Sequence, residues 1–527
     1  MKPLRAARVL LPVLLGLLAL PLLSAGGVAP SPAVEARAPE ELHLVVLHTN
    51  DLHGQVVPLP ATWVKDQDPP PTSGGLARVG AYIHKVRRET EAAGGSVVVV
   101  DAGDWYQGTP EGGLDKGLGI LRGLELMGYD AMAVGNHEFD HGVEHFEGML
   151  EQVELPALLA NARTKTGGTL PGTGEYVLLE RAGLTIGVVG MCSDQTPQMS
   201  HPTTRDLEWE SSADTLRRIR KEVGEDAVDF WLPVTHCGVD ADRELAREHP
   251  DLELIVGGHT HTVLHRGVRE GRTLIVQAGS KARSVGRVDL WFDAETQELV
   301  RGEAKLVNLY ADYAVPDRRE GLEAHCAELE RRSAEAMDKV VGQLAEELDR
   351  DGGSSRSSAA GNLITDVMRA RTGADVAIHN RGGIRAALDA GPVTRRDLFR
   401  ILPFDNSLET LTMTGRQLHD LLARSIEGQG RSGLEFSGLV ARVRRAGRYP
   451  EVVEFVVGGV VLDPEATYRV TTNNFLASGG DAYREFTQAS ERVTDPILQR
   501  DLLEEYFVAQ EGEPVRPPRD NRFELVD

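Results

Sequence analysis

The chain has 527 residues, 41% of them hydrophobic, and 57 Lys and Arg face 80 Asp and Glu for a net charge of −23. That length and apolar content fit two to four domains with real cores, and exclude a disordered tail, a repeat array or a collagen-like chain. The acidity excludes broad binding to nucleic-acid polymers or anionic membranes, so an anionic small molecule must be met by a local cluster of cations.

Residues 1–25 read as a secretory signal. Lys2, Arg5 and Arg8 precede an apolar run from Val9 to Leu23, and Leu23-Ser24-Ala25 offers a small-residue cleavage site. The run is 15 residues long and carries Pro12, Gly16 and Pro21, short of the ~20 residues that span a bilayer. No stable membrane anchor is expected, and the chain is expected to be secreted or periplasmic after cleavage. Residues 26–40 form a Pro/Ala-rich flexible tether.

Beyond it, short apolar runs alternate with helical patterns. Leu42–Leu47 ends at His48-Thr49-Asn50-Asp51, and Ser96–Val100 at Asp101-Ala102-Gly103-Asp104. Ala131–Val134 runs into Gly135-Asn136-His137, and Leu184–Gly190, Phe230–Thr235, Leu252–Val256 and Leu274–Gln277 repeat the theme. Strands with helices between them predict layered α/β architecture, with polar residues gathered past the strand ends. Leu322, Cys326, Leu329, Ala336 and Val340 recur at helical spacing and predict an amphipathic helix connecting two domains. A second α/β region follows, in which Val452–Val457 and Val460–Leu462, joined by Gly458-Gly459, read as a hairpin. The expected division is 41–312, a linker helix over 313–343, and 344–527.

The three cysteines, Cys192, Cys237 and Cys326, make neither a disulfide framework nor a CxxC metal site. Five loops instead carry nitrogen and oxygen ligands: Asp51-Leu52-His53, Asp101-Ala102-Gly103-Asp104, Gly135-Asn136-His137-Glu138-Phe139-Asp140, Thr235-His236 and Gly257-Gly258-His259-Thr260-His261. Imidazole, carboxylate and amide oxygen suit hard or borderline divalent metals. A single DxH or HxH is commonly a solvated loop; five such fragments at strand ends are not. Asp104 is placed to bridge two cations, which about 3.5–4 Å apart hold a phosphate and activate water. His43, His48 and His141 are assigned to packing, and Cys237 to a buried inert thiol.

These motifs resemble calcineurin-like metallophosphoesterases. With Asn380-Arg381-Gly382-Gly383-Ile384-Arg385 and Pro403-Phe404-Asp405-Asn406, the resemblance narrows to the two-domain 5′-nucleotidase and UDP-sugar hydrolase family, from Leu42 to the end. It implies a four-layer α/β/β/α metallophosphoesterase sandwich joined by a helix to a second α/β substrate-binding domain. It also implies that Asp51, His53, Asp104 and His261 hold one metal, and Asp104, Asn136, His236 and His259 another, each Zn, Mn, Co or Fe. His137 and Asp140 match the family's catalytic pair. Arg385 matches a phosphate-binding arginine, Phe404 and Phe475 match rings that sandwich a nucleobase, Asn406 matches a base contact and Asp481 a ribose contact. Where the family often has an arginine, this chain has Ser354, with Arg356 and Arg350 as nearby substitutes.

The expected activity is hydrolysis of nucleoside 5′-phosphates to nucleoside and phosphate, with UDP-sugars as a further substrate class and no nucleic-acid polymer as partner. A 2′,3′-cyclic-nucleotide 2′-phosphodiesterase/3′-nucleotidase is the nearest alternative. A thiosulfate-ester hydrolase and a non-catalytic nucleotide-binding protein stand further off.

Overall fold

The strand that leads to the first ligand motif, Glu41–Thr49, lies in the interior of a seven-stranded sheet. Its sequence Leu-Val-Val-Leu is buried on both faces, which a strand covered on two sides demands. It runs antiparallel to Ser284–Asp293, with Leu44 opposite Leu290, and parallel to Ser96–Asp101, with Leu44 opposite Ser96. Across the sheet the order is Leu299–Asn308, Ser284–Asp293, Glu41–Thr49, Ser96–Asp101, Ala131–Ala133, Ala157–Leu158 and Thr173–Gly174. A six-stranded sheet packs against it, ordered Val268–Glu270, Thr273–Val276, Leu254–Gly257, Phe230–His236, Leu184–Cys192 and Tyr176–Arg181. Leu44, Val46, Val98 and Val100 of one sheet share a dry core with Ile186, Val188, Leu232 and Val234 of the other.

Helices cover both outer faces. Leu76–Ala92 and Leu118–Met127 cover the seven-stranded sheet, and Ser212–Val223 and Val239–Glu248 the six-stranded one. The result is the four-layer α/β/β/α sandwich that the motifs imply. Residues 41–526 are described by this computed structural model, apart from 62–63, 65–66, 68, 311–319, 353–355 and 429–432. The signal and tether readings, Ser354 and the start of the linker segment therefore lie outside the described residues.

The linker helix runs Glu320–Met337. Leu322, Cys326 and Leu329 bury their apolar face in the core beneath the seven-stranded sheet, so the helix belongs to the outer layer of the first lobe. It stops short of Val340, counted above in its apolar stripe. Val340 is exposed and opens the strand Val340–Leu344, which pairs with Gly391–Thr394 in the second lobe. The helical spacing carried past the true end because a Val at the start of a strand fits the same stripe by coincidence.

The second lobe is built on a five-stranded sheet ordered Leu434–Ser437, Val376–Asn380, Thr467–Asn473, Ser407–Thr414 and Arg492–Leu498. Helices Ala359–Thr372 and Gln499–Val508 pack on one face, and Gly415–Ile426 on the other. The hairpin forms as read: Val457 pairs with Val460, and Gly458 and Gly459 take φ 59° and 87°, which a two-residue turn with both centres left-handed requires. Both lobes fall in one unit, Glu40–Asp527.

Candidate metal centre and substrate cleft

All seven expected ligands follow strand ends on one edge of the sandwich. Asp51 and His53 follow Glu41–Thr49, Asp104 follows Ser96–Asp101, and Asn136 follows Ala131–Ala133. His236 ends Phe230–His236, and His259 and His261 follow Leu254–Gly257. Folding brings their ligand atoms into two groups, Asp51/His53/His261 and Asp104/His236/His259, with the atoms of each group within 4.8 Å of one another. In this grouping, with one ligand atom per residue, Asp104 stands with the second group. Asn136, which offers an amide oxygen and no carboxylate or imidazole, is buried as well.

The chain holds these loops in costly conformations. Asp51, His53, Asp104, His259 and His261 all take positive φ, between 48° and 77°. Non-glycine residues visit that region rarely, and such strain concentrates where side chains must be aimed. Glycines let the loops nest. A Cβ on Gly135 would lie 2.3 Å from Asp104 Oδ1, and one on Gly103, at φ 88°, would lie 2.7 Å from Gly135 N.

Hydrogen bonds aim the ligands. His53 Nδ1 lies 2.7 Å from the Gln107 carbonyl and His236 Nδ1 2.6 Å from that of Ala102. A carbonyl can only accept, so Nδ1 carries a proton in both rings, which leaves Nε2 as the atom that would face a metal. Asn50 Nδ2 (2.6 Å) and His259 N (3.0 Å) donate to Asp51 Oδ2, leaving Oδ1 facing His261 Nε2 at 3.1 Å. His236 Nε2 lies 3.0 Å from Asp104 Oδ2, and His53 Nε2 2.8 Å from His261 Nε2.

Asp51 Oδ1, Asn136 Oδ1 and His236 Nε2 are buried yet make no hydrogen bond. Buried polar atoms are almost always satisfied. Buried polar atoms converging from separate loops without ordinary hydrogen bonds are what divalent cations would satisfy, so the residues fit the metals the motifs imply.

Electrostatics show the same demand for positive charge. Burial opposes it, but the Asp104 carboxylate pushes His236 up to about 10. Burial would raise Asp51 and Asp104; the facing histidines hold both below the ordinary carboxylate range, His261 foremost for Asp51 and His236 for Asp104. Burial keeps His53 and His259 near 4, hence neutral. A cation at the cluster would take over the role of these protons.

His137 Nδ1 lies 2.7 Å from Asp140 Oδ2 at the short helical turn His137–Phe139. Its backbone N–H donates to Asp104 Oδ1 at 2.9 Å, tying the pair to the metal centre. Burial opposes a charge on His137, yet Asp140 and then Asp104 hold its pKa well above the ordinary value.

Sequence reasoning passed over Glu138. This fully buried carboxylate accepts the backbone N–H groups of Asp104 (2.9 Å), Trp105 (2.9 Å) and Gly135 (2.7 Å), stitching two ligand loops together. It lay within the Gly-Asn-His-Glu-Phe-Asp motif, where an acid wedged between polar ligands reads as one more ligand or as surface. Asn50 was also missed. Besides Asp51 it binds the Gly279 carbonyl and the Ala278 N–H, each at 2.7 Å.

The second lobe carries the residues expected to bind substrate. Phe404 and Phe475 leave 48% and 44% of their surface exposed, unlike core phenylalanines such as Phe436. Arg385 is exposed, with Nη1 donating to the Gly382 carbonyl at 2.9 Å. Asp481, at φ 51°, accepts from Asn380 Nδ2 at 2.9 Å, and the Asn406 carbonyl accepts from Gln499 N at 2.8 Å. Arg356 is exposed and offers its carbonyl to Arg381 Nη2 at 3.1 Å. A crevice lined by Asp140, Ser200 and His201 on one side and Asp405, Asn474 and Leu498 on the other joins His137–Asp140 to the neighbours of Phe404, Asn406 and Phe475.

The packing assignments hold: His43 stacks on Trp291, His48 is buried, and His141 stacks on Tyr106. The three cysteines are unpaired, and burial pushes the Cys237 and Cys326 thiols up to about 12.

A family model described as calcineurin-like phosphoesterase matches residues 44–263, and one described as 5′-nucleotidase, C-terminal domain, matches residues 340–488. The chain is 28% identical to Protein UshA of Yersinia enterocolitica over 525 residues, covering 91% of this chain and 93% of that one. It is 28% identical to a 5′-nucleotidase of Vibrio cholerae over 543 residues, covering 92% and 94%. Among solved structures, a 5′-nucleotidase precursor from Thermus thermophilus matches with a TM-score of 0.65 and 26% identity, covering 92% of this chain and 100% of that one.

Proposed function

We propose a specific reaction from the premise that this chain belongs to the two-domain family joining a calcineurin-like phosphoesterase to a 5′-nucleotidase C-terminal domain. The chain is a metal-dependent phosphoester hydrolase acting on nucleotides. The reaction proposed is hydrolysis of nucleoside 5′-monophosphates, and of diphosphate-linked nucleotides such as UDP-sugars, at two divalent cations.

One observation carries the reading. Ligand atoms from strand ends far apart in the chain converge in two groups beside His137–Asp140, and a crevice at Asp140 is lined from the second lobe by Asp405 and Asn474. Asp51, His53 and His261 would hold one cation, and Asp104, Asn136, His236 and His259 the other, with Asp104 the candidate to reach both. When bound, the two cations supply Lewis acidity to the phosphate and to a water molecule.

This chain's own residues do the rest. Asp140 fixes the His137 ring and favours its charged form, so that Nε2 offers a positively charged donor to phosphate oxygens as charge grows on them. Arg385 binds phosphate, and its planar fork suits two oxygens at once. Phe404 and Phe475 stack the base, Asn406 touches its edge, and Asp481 accepts from the ribose hydroxyls. Arg356 stands as a reserve cation. Glu138 and Asn50 hold the ligand loops against the strain of their backbone.

Export is part of the proposal and rests on the basic-then-apolar segment of residues 1–25. No helix among the described residues is long and apolar enough to cross a membrane.

The test is product analysis of purified protein on AMP, UDP-glucose and 2′,3′-cyclic AMP, with and without added divalent metal. Phosphate release from AMP that requires metal is expected. Cleavage of the cyclic nucleotide without cleavage of AMP would move the assignment to the phosphodiesterase/3′-nucleotidase.

A further inference from the structure

Phe404 and Asn406 share one loop, 402–406, which joins helix Arg395–Ile401 to strand Ser407–Thr414. The Phe404 ring is half-exposed, so core packing does not fix its direction. What meets the loop is the start of helix Gln499–Val508, brought there because Ser407 pairs with Leu498. The first-turn N–H groups of a helix have no partner within it. That of Gln499 donates to the Asn406 carbonyl at 2.8 Å. The Gln499 side chain is anchored in turn, with Oε1 3.1 Å from Nε2 of the buried His379.

Arg500 takes the other side of the loop. Its Nη1 donates to the Leu402 carbonyl at 3.2 Å, and its Nη2 donates to Asp405 Oδ1. The guanidinium carbon lies 3.6 Å from the centre of the Phe399 ring. One planar fork, seated on an aromatic ring, therefore brackets Pro403 and Phe404. The Arg500 and Asp405 side chains are each 9% exposed. Desolvating two charges costs nearly what their attraction returns, so a buried ion pair is a poor way to add stability. Fixed direction is what the fork supplies, and a lysine, a point charge on a flexible stem, would not. Asp405 also lines the crevice that Asp140 and His201 line from the first lobe. Arg500 offsets a negative charge there that would otherwise repel an anionic substrate.

We propose that Arg500 is a positioning residue for the nucleobase: through Leu402 and Asp405 it fixes the angle at which Phe404 meets the base. The inference rests on the nucleotidase reading above, which takes Phe404 and Asn406 as base contacts.

The test uses the full-length protein with metal, and compares AMP with ribose 5-phosphate, which lacks the base. kcat and KM are measured for wild type, Arg500→Lys, Asp405→Asn and the double variant. Arg500→Lys should raise KM for AMP about tenfold, within the worth of base stacking, and leave KM for ribose 5-phosphate within about twofold. A merely structural role would lower the melting temperature and cut kcat on both esters while moving neither KM. A lysine variant with wild-type KM for AMP reduces Arg500 to a counter-charge and overturns the proposal, as does a KM that rises alike for both esters. Asp405→Asn should shift KM for AMP in the same direction, and it carries the test if Arg500→Lys does not fold; an unchanged KM there overturns the proposal too. In the double variant KM for AMP should rise by less than the product of the single effects, because the two side chains act as one unit. The full product would mean that Arg500 does not act through Asp405, which overturns the proposal. Failure of the nucleotidase reading looks different: wild type would then show no preference for AMP over ribose 5-phosphate, and with no base to position the proposal falls with it.

Discussion

His137 Nδ1 and Asp140 Oδ2 are 2.7 Å apart, three residues apart in the chain, and the His137 backbone N–H reaches Asp104 Oδ1. One short turn therefore couples the charge on an imidazole to the carboxylate at the centre of the ligand cluster. Asp140→Asn keeps the shape and removes the charge that favours the imidazolium. It should lower kcat on AMP by about 10²-fold, in the range for a lost acid–base or charge-stabilising partner, with KM little changed. A loss under threefold, in protein with unaltered circular dichroism and metal content, would show that the pair is merely structural.

Metal loading should be readable without activity. Protein purified with divalent metal is expected to carry two ions per chain by elemental analysis and to melt higher than chelated protein, since a ligand bound only by the folded state stabilises it. Asp51→Ala should remove one ion, and Asp104→Ala should disturb both. One ion retained in Asp104→Ala at full wild-type affinity would mean that Asp104 serves a single cation.

Glu138 accepts three backbone N–H groups while fully buried. Glu138→Gln turns one acceptor oxygen into a donor facing those donors. The cost of a buried mismatch is about 1–3 kcal/mol, visible as a lower urea midpoint, together with weaker metal retention. A midpoint within error of wild type would sink the stitching role.

Phe404 and Phe475 are half-exposed, so removing either ring leaves no cavity. Phe404→Ala and Phe475→Ala should leave the melting temperature within about a degree or two and raise KM for AMP, because base stacking on an aromatic ring is worth about 1–3 kcal/mol. KM for a phosphate ester without a base should not move. A rise there as well would mean that the rings shape the cleft and do not bind the base.

His48 is buried, and burial drops its pKa from 6.5 to about 3. Between those two values the unfolded chain binds a proton that the folded chain refuses, so stability declines as the pH falls through that window and levels off below it. Each pKa unit corresponds to about 1.4 kcal/mol. In chelated protein, His48→Gln should show a shallower acid decline in urea midpoint than wild type below about pH 6.5. Parallel declines would place the acid sensitivity elsewhere.

The candidate ligand set was legible from the chain because metal chemistry restricts residue types and because strands of buried Val and Leu announce their own ends. Asp51, Asp104, Asn136, His236 and His259 each follow such a run. Layered α/β architecture followed from the same alternation, and the four-layer order from the family resemblance. What the alternation could not reveal was where the helix ends: Val340 fits the stripe of Glu320–Met337 yet pairs with Thr394 in the second lobe. Local spacing is blind to a partner more than fifty residues away. Glu138 shows the same limit. Its type was visible, but its role depends on N–H groups of Asp104 and Trp105, which only folding brings near.

The order of apolar runs and ligand residues by itself determined the architecture and the chemistry on offer, since side-chain type and period are local properties. Tertiary structure alone decided which ligand atoms share a group and that Glu138 reaches the N–H groups of two ligand loops. It also decided that three buried polar atoms of the cluster lack a hydrogen bond, for these are distances between segments whose separation along the chain carries no information about their separation in space.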